Sequence, residues 1–301
     1  MRKLLITGAW RCTDAQVQAL EQMGYAVTFW PDERQTVNLD TSVFEAVICG
    51  GLFLTTPIER FLALRCIQLT SAGLDRVPLD YCKSHGITVY NAGGVYSAPM
   101  AEFVLGGILQ LYKESKFFIQ NQADHRWEKH RGLRELGGQT ACIIGTGSVG
   151  SAIARRLRAF DVHTVGVNRS GHPATDFDCT VAVEELDGGL PRADMVICAM
   201  PLTAETAGLF DSARLAKIKP GAVFVNVARG KVANQQALIA ALQSGQLSGA
   251  VLDVFEEEPL PQDSPLWDME QVILTPHNSF VGERNGQRLF RLICQNLESF
   301  A

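Results

Sequence analysis

A chain of 301 residues is long enough for two domains with sizeable cores, and its 47% hydrophobic and 20% charged residues are those of an ordinary globular protein. A net charge of −5, with no cluster of Lys or Arg, offers no general attraction to nucleic acid and argues against DNA binding. No stretch approaches 18 consecutive apolar residues, so no membrane span is predicted, and the start MRKLLITGAWRC reads as a first strand rather than a signal peptide.

In chain order, residues 3–7 read as a strand and 14–23 as a helix, with Thr13 or Asp14 as N-cap and Gly24 as the stop. Residues 25–30 form a second strand and 46–49 a third, running into Gly50, Gly51 and Leu52. A helical pattern over 58–64 leads to a strand at 66–70 and the turn Ser71, Ala72, Gly73. A short helix at 79–84 and a strand at 88–90 follow. This alternation predicts a parallel sheet covered on both faces, so residues 1–91 read as one α/β domain. The glycines of NAGGVY, 91–96, mark a boundary before a long helix over 98–122. Phe103, Val104, Leu105, Ile108, Leu109 and Leu111 make that helix more apolar than one amphipathic face requires. Either a second subunit covers it or its own chain buries it whole.

The stretch 140–170 carries the most specific pattern. A buried strand at 141–144 ends in Gly145, Thr146, Gly147, Ser148, Val149 and Gly150, a GxGxxG. A helix over 151–160, with Ile153, Leu157 and Phe160 on one face, and a strand at 163–167 complete a βαβ unit, the context in which this motif binds dinucleotides. Gly145 allows the tight turn, Gly147 lets a pyrophosphate approach the backbone, and Gly150 lets helix and strand pack closely. An NAD-binding unit usually places Asp or Glu at the end of the second strand to hold the adenosine ribose. Here Asn168, Arg169 and Ser170 stand there instead. Arginine can pair with a 2′-phosphate that a carboxylate would repel, so NADP(H) is favoured, with NAD(H) as the alternative.

Beyond it come strands at 179–183, 195–199, 222–227, 249–254 and 272–274, with helices at 184–187, 209–217 and 235–244, the last stopped by Gly245. A second boundary near Gly282 precedes a final helix over 285–300 that can pack back on the first domain. The eight cysteines have no metal-ligand spacing, and most lie in apolar runs where a reduced thiol acts as a small hydrophobe. No metal site is predicted, and a reducing cytoplasm is the expected location.

Arg229, Asp253, Glu258 and His277 lie at or just past the ends of predicted strands, the side on which open α/β sheets bind ligands. Arginine can hold a carboxylate by two parallel hydrogen bonds, histidine exchanges a proton near neutral pH, and a carboxylate beside it fixes its tautomer.

With these residues, GTGSVG at 145–150, PLTAET at 201–206, NVARGKVANQQAL at 226–238, LDVFEEEPLP at 252–261 and LTPH at 274–277, the whole chain resembles the D-isomer-specific 2-hydroxyacid dehydrogenases, of the glyoxylate/hydroxypyruvate reductase kind. The resemblance implies two Rossmann-like domains with doubly wound parallel sheets: a substrate domain of residues 1–91 plus 282–301, and a cofactor domain of residues 92–281 inserted into it. It implies that Arg229 binds the substrate carboxylate and carbonyl, that Glu258 pairs with His277, and that Asp253 contacts the nicotinamide side. Gly50, Gly51, Leu52, Ser71, Ala72 and Gly73 would cradle the substrate. Met200, Pro201, Thr206 and Ala228 would join the cofactor site, and dimers would form through the cofactor domains. The implied reaction moves a hydride between NADP(H) and a small 2-oxo acid. Because GGLFL carries no Lys or Arg, an unphosphorylated acid is expected, with Arg76 the nearest candidate for a phosphate. An NAD-dependent phosphoglycerate dehydrogenase and a non-enzymatic nucleotide-sensing corepressor are the alternatives.

Overall fold

Runs of three to six mostly apolar residues set the strands of a computed structural model that describes residues 1–300. The chain parts into two units, Met1–Tyr96 together with the chain from Gly282 onward, and Ser97–Val281. The second is thus inserted into the first.

In the first unit β1 (Arg2–Thr7), α1 (Asp14–Gln22), β2 (Tyr25–Trp30), β3 (Ala46–Cys49), β4 (Cys66–Leu69), α2 (Leu79–Ser84) and β5 (Thr88–Tyr90) build a parallel sheet in the order β2-β1-β3-β4-β5. Side chains alternate across a strand, so Leu4 and Ile6 enter one core layer with Leu20 and Tyr25, while Leu5 enters the other with Val47 and Leu52. A capping box between Thr13 and Gln16 starts α1. The C-terminal helix, Asn285–Phe300, lays Leu289, Ile293 and Leu297 on the first layer at 4-residue spacing. Burial of each such side chain contributes about 1.5–3 kcal/mol. The Tyr25 hydroxyl donates to the Leu297 carbonyl at 3.1 Å, and Asn296 to the buried Gln68 at 2.7 Å.

The second unit comprises α3 (Ser97–Tyr112), α4 (Ser115–Ala123), β6 (Thr140–Ile144), α5 (Ser148–Arg158), β7 (His163–Asn168), β8 (Cys179–Ala182), α6 (Leu186–Gly189), β9 (Met195–Cys198), α7 (Ser212–Leu215), β10 (Ala222–Asn226), α8 (Gln235–Gln243), β11 (Leu247–Leu252) and β12 (Val272–Leu274). Its seven parallel strands run β12-β11-β10-β9-β6-β7-β8, so the strand order reverses between β6 and β9. Such a reversal opens a crevice at the carboxyl ends of the strands. Ala141 and Ile143 pack with α3 and α5, and Cys142 and Ile144 with α6 and α8 on the opposite face. In α3 a Cβ on Gly107 would lie 2.6 Å from Val251 Cγ1, which is how closely that helix lies on β11.

Several elements differ from the sequence reading. The helix expected over 98–122 is two helices, because Glu114 takes a left-handed φ of 50° without a Gly or Pro to mark it. Phe160 lies past the end of α5 and is exposed, whereas Ile153 and Leu157 are buried. The segments 209–217 and 58–64 shorten to α7, capped by Asp211, and to a single 3-10 turn at Ile58–Arg60. β11 ends at Leu252, which leaves Asp253 just beyond the strand.

Candidate active site

The glycine turn is built by close contacts. Gly145 has φ 108°, and a Cβ there would meet the Ala199 carbonyl oxygen at 2.7 Å. A Cβ on Gly150 would sit 1.9 Å from the Gly145 carbonyl oxygen. Gly147, by contrast, has open space: no atom lies within 4 Å of its Cβ position, and as N-cap of α5 it supplies no side-chain cap. Gly147 and Ser148 are exposed, and the first-turn N–H groups face outward with the positive end of the helix dipole. These residues fit a pyrophosphate.

At the end of β7 the polar residues organise each other. The Asn168 side chain donates to the Thr146 hydroxyl at 3.3 Å and to the His172 carbonyl at 2.9 Å, and accepts from the Ser170 N–H at 3.2 Å. Its amide therefore shapes the turn instead of pointing both donors at a ligand. Arg169 and Ser170 are exposed on that turn, and the Ser170 hydroxyl lies 3.0 Å from His172 Nδ1. His172 joins this cluster although its sequence neighbourhood gave no sign of a role. Opposite, the Thr203 hydroxyl holds the Glu205 carboxyl below its ordinary range, with a smaller contribution from Arg169. The Thr206 hydroxyl donates to the Pro201 carbonyl at 2.8 Å and fastens the loop after β9, and Met200 is buried at its base.

Three adjacent strands, β10, β11 and β12, bring the remaining polar residues together at their carboxyl ends. At the end of β10 the buried Asn226 accepts from the Ala228 N–H at 3.0 Å and donates to the Arg229 carbonyl at 3.0 Å, fixing the backbone that carries Arg229. A Cβ on Gly230 would lie 1.9 Å from the backbone of Phe255, so this segment meets the one after β11 in direct backbone contact. The Arg229 guanidinium is half-buried and donates to the Ala228 carbonyl at 2.8 Å. Sequence reasoning passed over Asn226, whose buried amide between a strand and an arginine was the available signal.

Asp253 is 0% exposed. Its carboxylate accepts from the Thr275 hydroxyl at 2.6 Å, the Asn278 N–H at 2.7 Å and the Ser279 N–H at 2.9 Å. So enclosed, the Asp253 side chain ties down the loop that carries His277 and lies beneath the position where a nicotinamide contact was expected. The His277 backbone, at φ 50°, is itself held by N–H donation to the Asp253 carbonyl at 2.8 Å. His277 Nδ1 lies 2.9 Å from Glu258 Oε2, and Glu258 Oε1 accepts from the Phe255 N–H at 3.0 Å. Glu258 is therefore aimed at the ring from a fixed position. Nε2 has no protein partner among the described residues.

In the first unit the loop after β3 and the turn after β4 stand differently. The Gly50 and Gly51 N–H groups already donate to the Glu33 carboxylate, at 2.7 and 2.6 Å. Leu52 is 0% exposed in the core and offers no surface to a ligand. Ser71, Ala72 and Gly73 stay accessible at the end of β4, held by Asn91, which donates to the Ala72 carbonyl at 2.8 Å.

Residues 105–279 match the model of the D-isomer specific 2-hydroxyacid dehydrogenase NAD binding domain. The chain belongs to the D-isomer-specific 2-hydroxyacid dehydrogenase family. It is 33% identical to the glyoxylate reductase of Thermofilum pendens over 280 residues, 89% of this chain and 81% of that one. It is 35% identical over 255 residues to the D-3-phosphoglycerate dehydrogenase of Mycobacterium leprae, covering 82% of this chain but 48% of the relative. Among solved structures, the family member from Xanthobacter autotrophicus Py2 in complex with NADPH and MES superposes with a TM-score of 0.80 at 28% identity, over 98% of this chain and 93% of that one. Membership of this family makes the chain an NAD(P)-dependent oxidoreductase with two Rossmann-like units.

Proposed function

We propose that the protein reduces small, unphosphorylated 2-oxo acids to D-2-hydroxy acids with NADP(H) as the favoured cofactor. The observation that carries this is the His277–Glu258 pair, with Nδ1 engaged at 2.9 Å and Nε2 left without a protein partner, at the end of the strand two places from that of Arg229. Glu258 accepts a hydrogen bond from Nδ1–H, so the proton the ring can give to a carbonyl oxygen is the one on Nε2. Arg229 offers a planar fork to the substrate carboxylate and polarises the adjacent carbonyl. Bound nicotinamide supplies the hydride. Gly145–Gly150 and the first turn of α5 would hold its pyrophosphate, and Arg169 with Ser170 the 2′-phosphate.

The NADPH bound to the Xanthobacter relative supports this cofactor preference, and the Thermofilum relative supports glyoxylate-like acids. Exposed Phe118, Ile119 and Trp127, on α4 and the segment after it, support a homodimer formed through the second unit. No helix among the described residues is long and apolar enough to span a bilayer, and we assign a cytoplasmic location.

The test is initial rates of nicotinamide oxidation, with NADPH and NADH side by side, against glyoxylate, hydroxypyruvate, phenylpyruvate, 2-oxoisocaproate and 3-phosphohydroxypyruvate, with Arg229→Ala as the blank. Turnover with NADPH that vanishes in the blank is expected. A tenfold preference for the phosphorylated acid, about 1.4 kcal/mol, would overturn the substrate class.

A further inference from the structure

The turn after β7 is folded back on itself by its own polar groups. Gly171, at φ 70°, reverses the chain so that the His172 ring comes back to Ser170, with Nδ1 3.0 Å from the hydroxyl oxygen. Asn168 pins the other side of the turn, donating to the His172 carbonyl at 2.9 Å and accepting from the Ser170 N–H at 3.2 Å. Its bond to the Thr146 hydroxyl, at 3.3 Å, joins this turn to the glycine turn. Arg169, Ser170 and His172 are all exposed. Three side chains able to meet an anion therefore share one short turn beside the pyrophosphate cradle.

The contact between Ser170 and His172 can run in two directions, and the ring's proton decides which. With Nδ1 bare, the serine hydroxyl donates inward to it and shows only an oxygen to solvent. With the ring doubly protonated, Nδ1–H donates to the serine oxygen and the hydroxyl proton is free to point outward. The same proton makes the exposed ring a cation. Both changes favour a dianionic phosphate, and both matter far less to a ribose hydroxyl, which can give or take a hydrogen bond.

The charges around this ring are few. Ser170 is its only side-chain partner among the described residues. Arg169 stands on the same turn, and Glu205, across from it on the loop after β9, feels that arginine. The end of β8 packs on Gly171, where a Cβ would lie 3.0 Å from the Ala182 nitrogen; there the Glu185 carboxylate accepts from the Ala182 N–H at 3.2 Å, next to Glu184. Asp176, further along the connection to β8, pairs with Arg155 at 3.1 Å. Carboxylates and guanidinium groups ordinarily keep one charge between about pH 6.5 and 8.5, where histidine does not.

We infer that His172 is a specificity-determining residue for the cofactor: its imidazolium completes, with Arg169 and the outward-turned Ser170 hydroxyl, a subsite for the 2′-phosphate, so that NADP(H) is selected over NAD(H) more strongly as the ring takes up its proton. The inference rests on the NADP(H) reading above and deepens it. A ring that merely braced the turn would support both cofactors alike.

NADP⁺ and NAD⁺ differ by that phosphate alone, which makes them the probes. The Kd of each is measured by isothermal titration calorimetry at about pH 6.5 and 8.5, the phosphate being still mostly a dianion at the lower value. Wild type should bind NADP⁺ about fivefold more tightly at the lower pH, and NAD⁺ equally within about 1.5-fold. His172→Ala should lose that slope, and His172→Arg, always charged, should bind NADP⁺ tightly at both values. Heats recorded near neutral pH in two buffers of different ionisation enthalpy should show net proton uptake with NADP⁺ that is absent with NAD⁺ and absent in His172→Ala. A wild-type slope below about twofold, or one retained in His172→Ala, overturns the inference. NADP⁺ preferred at both values without a slope leaves the cofactor reading in place and removes His172 from it. NADP⁺ and NAD⁺ binding alike at both values brings the two down together.

Discussion

The fully buried carboxylate of Asp253 grips the backbone N–H of Ser279 at 2.9 Å, and through this and two neighbouring bonds it sets the loop on which His277 stands. Asp253→Ala would leave the Asn278 and Ser279 amides and the Thr275 hydroxyl without their acceptor. An unsatisfied buried donor costs about 1–3 kcal/mol, so the melting temperature should fall by several degrees. The left-handed pose of His277 would relax as well, and kcat should drop roughly 100-fold, the usual penalty for a misplaced catalytic group. Thermal denaturation and steady-state rates on one preparation check both. A variant that melts like wild type would show that the loop holds itself.

The glycine turn separates a folding requirement from a binding one. Gly150→Ala forces a methyl group to 1.9 Å from the Gly145 carbonyl oxygen, which is backbone and cannot swing away, so the variant should lose stability. Gly147→Ala places its methyl in open space. It should melt within a degree or two of wild type yet bind NADPH at least tenfold more weakly, because the methyl occupies the approach of the pyrophosphate. Differential scanning fluorimetry with and without NADPH distinguishes the two.

Arg169 is the exposed cation of the turn after β7. Arg169→Ala should raise the Kd for NADPH at least tenfold, about 1.4 kcal/mol, and leave that for NADH within about twofold. Equal weakening of both would mean that the arginine serves the fold of the turn and not the 2′-phosphate.

Thiol chemistry follows burial. Cys49 and Cys198 are pushed well above the ordinary thiol range by burial, and burial raises Cys66 and Cys142 to about 12. Cys179 is the exposed thiol, with its sulfur 4.0 Å from His163 Nε2. A disulfide reagent at neutral pH should modify Cys179 first in the native protein, and Cys179→Ser should remove the fast phase. A fast phase that survives that change would point to opening around a buried cysteine.

Much of the architecture was legible because it is written in local pattern. The apolar run 141–144, the spacing of Gly145, Gly147 and Gly150, and the polar residues just past later strands each need only neighbouring positions to be read. What escaped depends on partners distant in sequence. Glu33 finds Gly50 and Gly51 seventeen and eighteen positions away, and Asp253 finds Ser279 twenty-six away, so neither an amide already occupied nor a carboxylate already enclosed can be seen in a motif. The break at Glu114 is hidden for a related reason. Tyr112 is buried and its hydroxyl donates to Gln139 at 2.5 Å, while Lys113 donates to the Arg134 carbonyl at 2.6 Å, so tertiary bonds hold a turn for which the local residues carry no signal.

The helix Asn285–Phe300 has a bearing on how the molecule is made. Leu4, Ile6 and Tyr25 precede the inserted unit in the chain, and the Leu289, Ile293 and Leu297 that share their core layer follow it. All of Ser97–Val281 must be translated in between, on the order of ten to forty seconds at about 5–20 residues per second. Through that interval one apolar face of the nascent sheet lacks its closing helix. The inserted unit, contiguous in sequence, can mature first, and the first unit reaches its native state only when the segments on either side of the insertion meet.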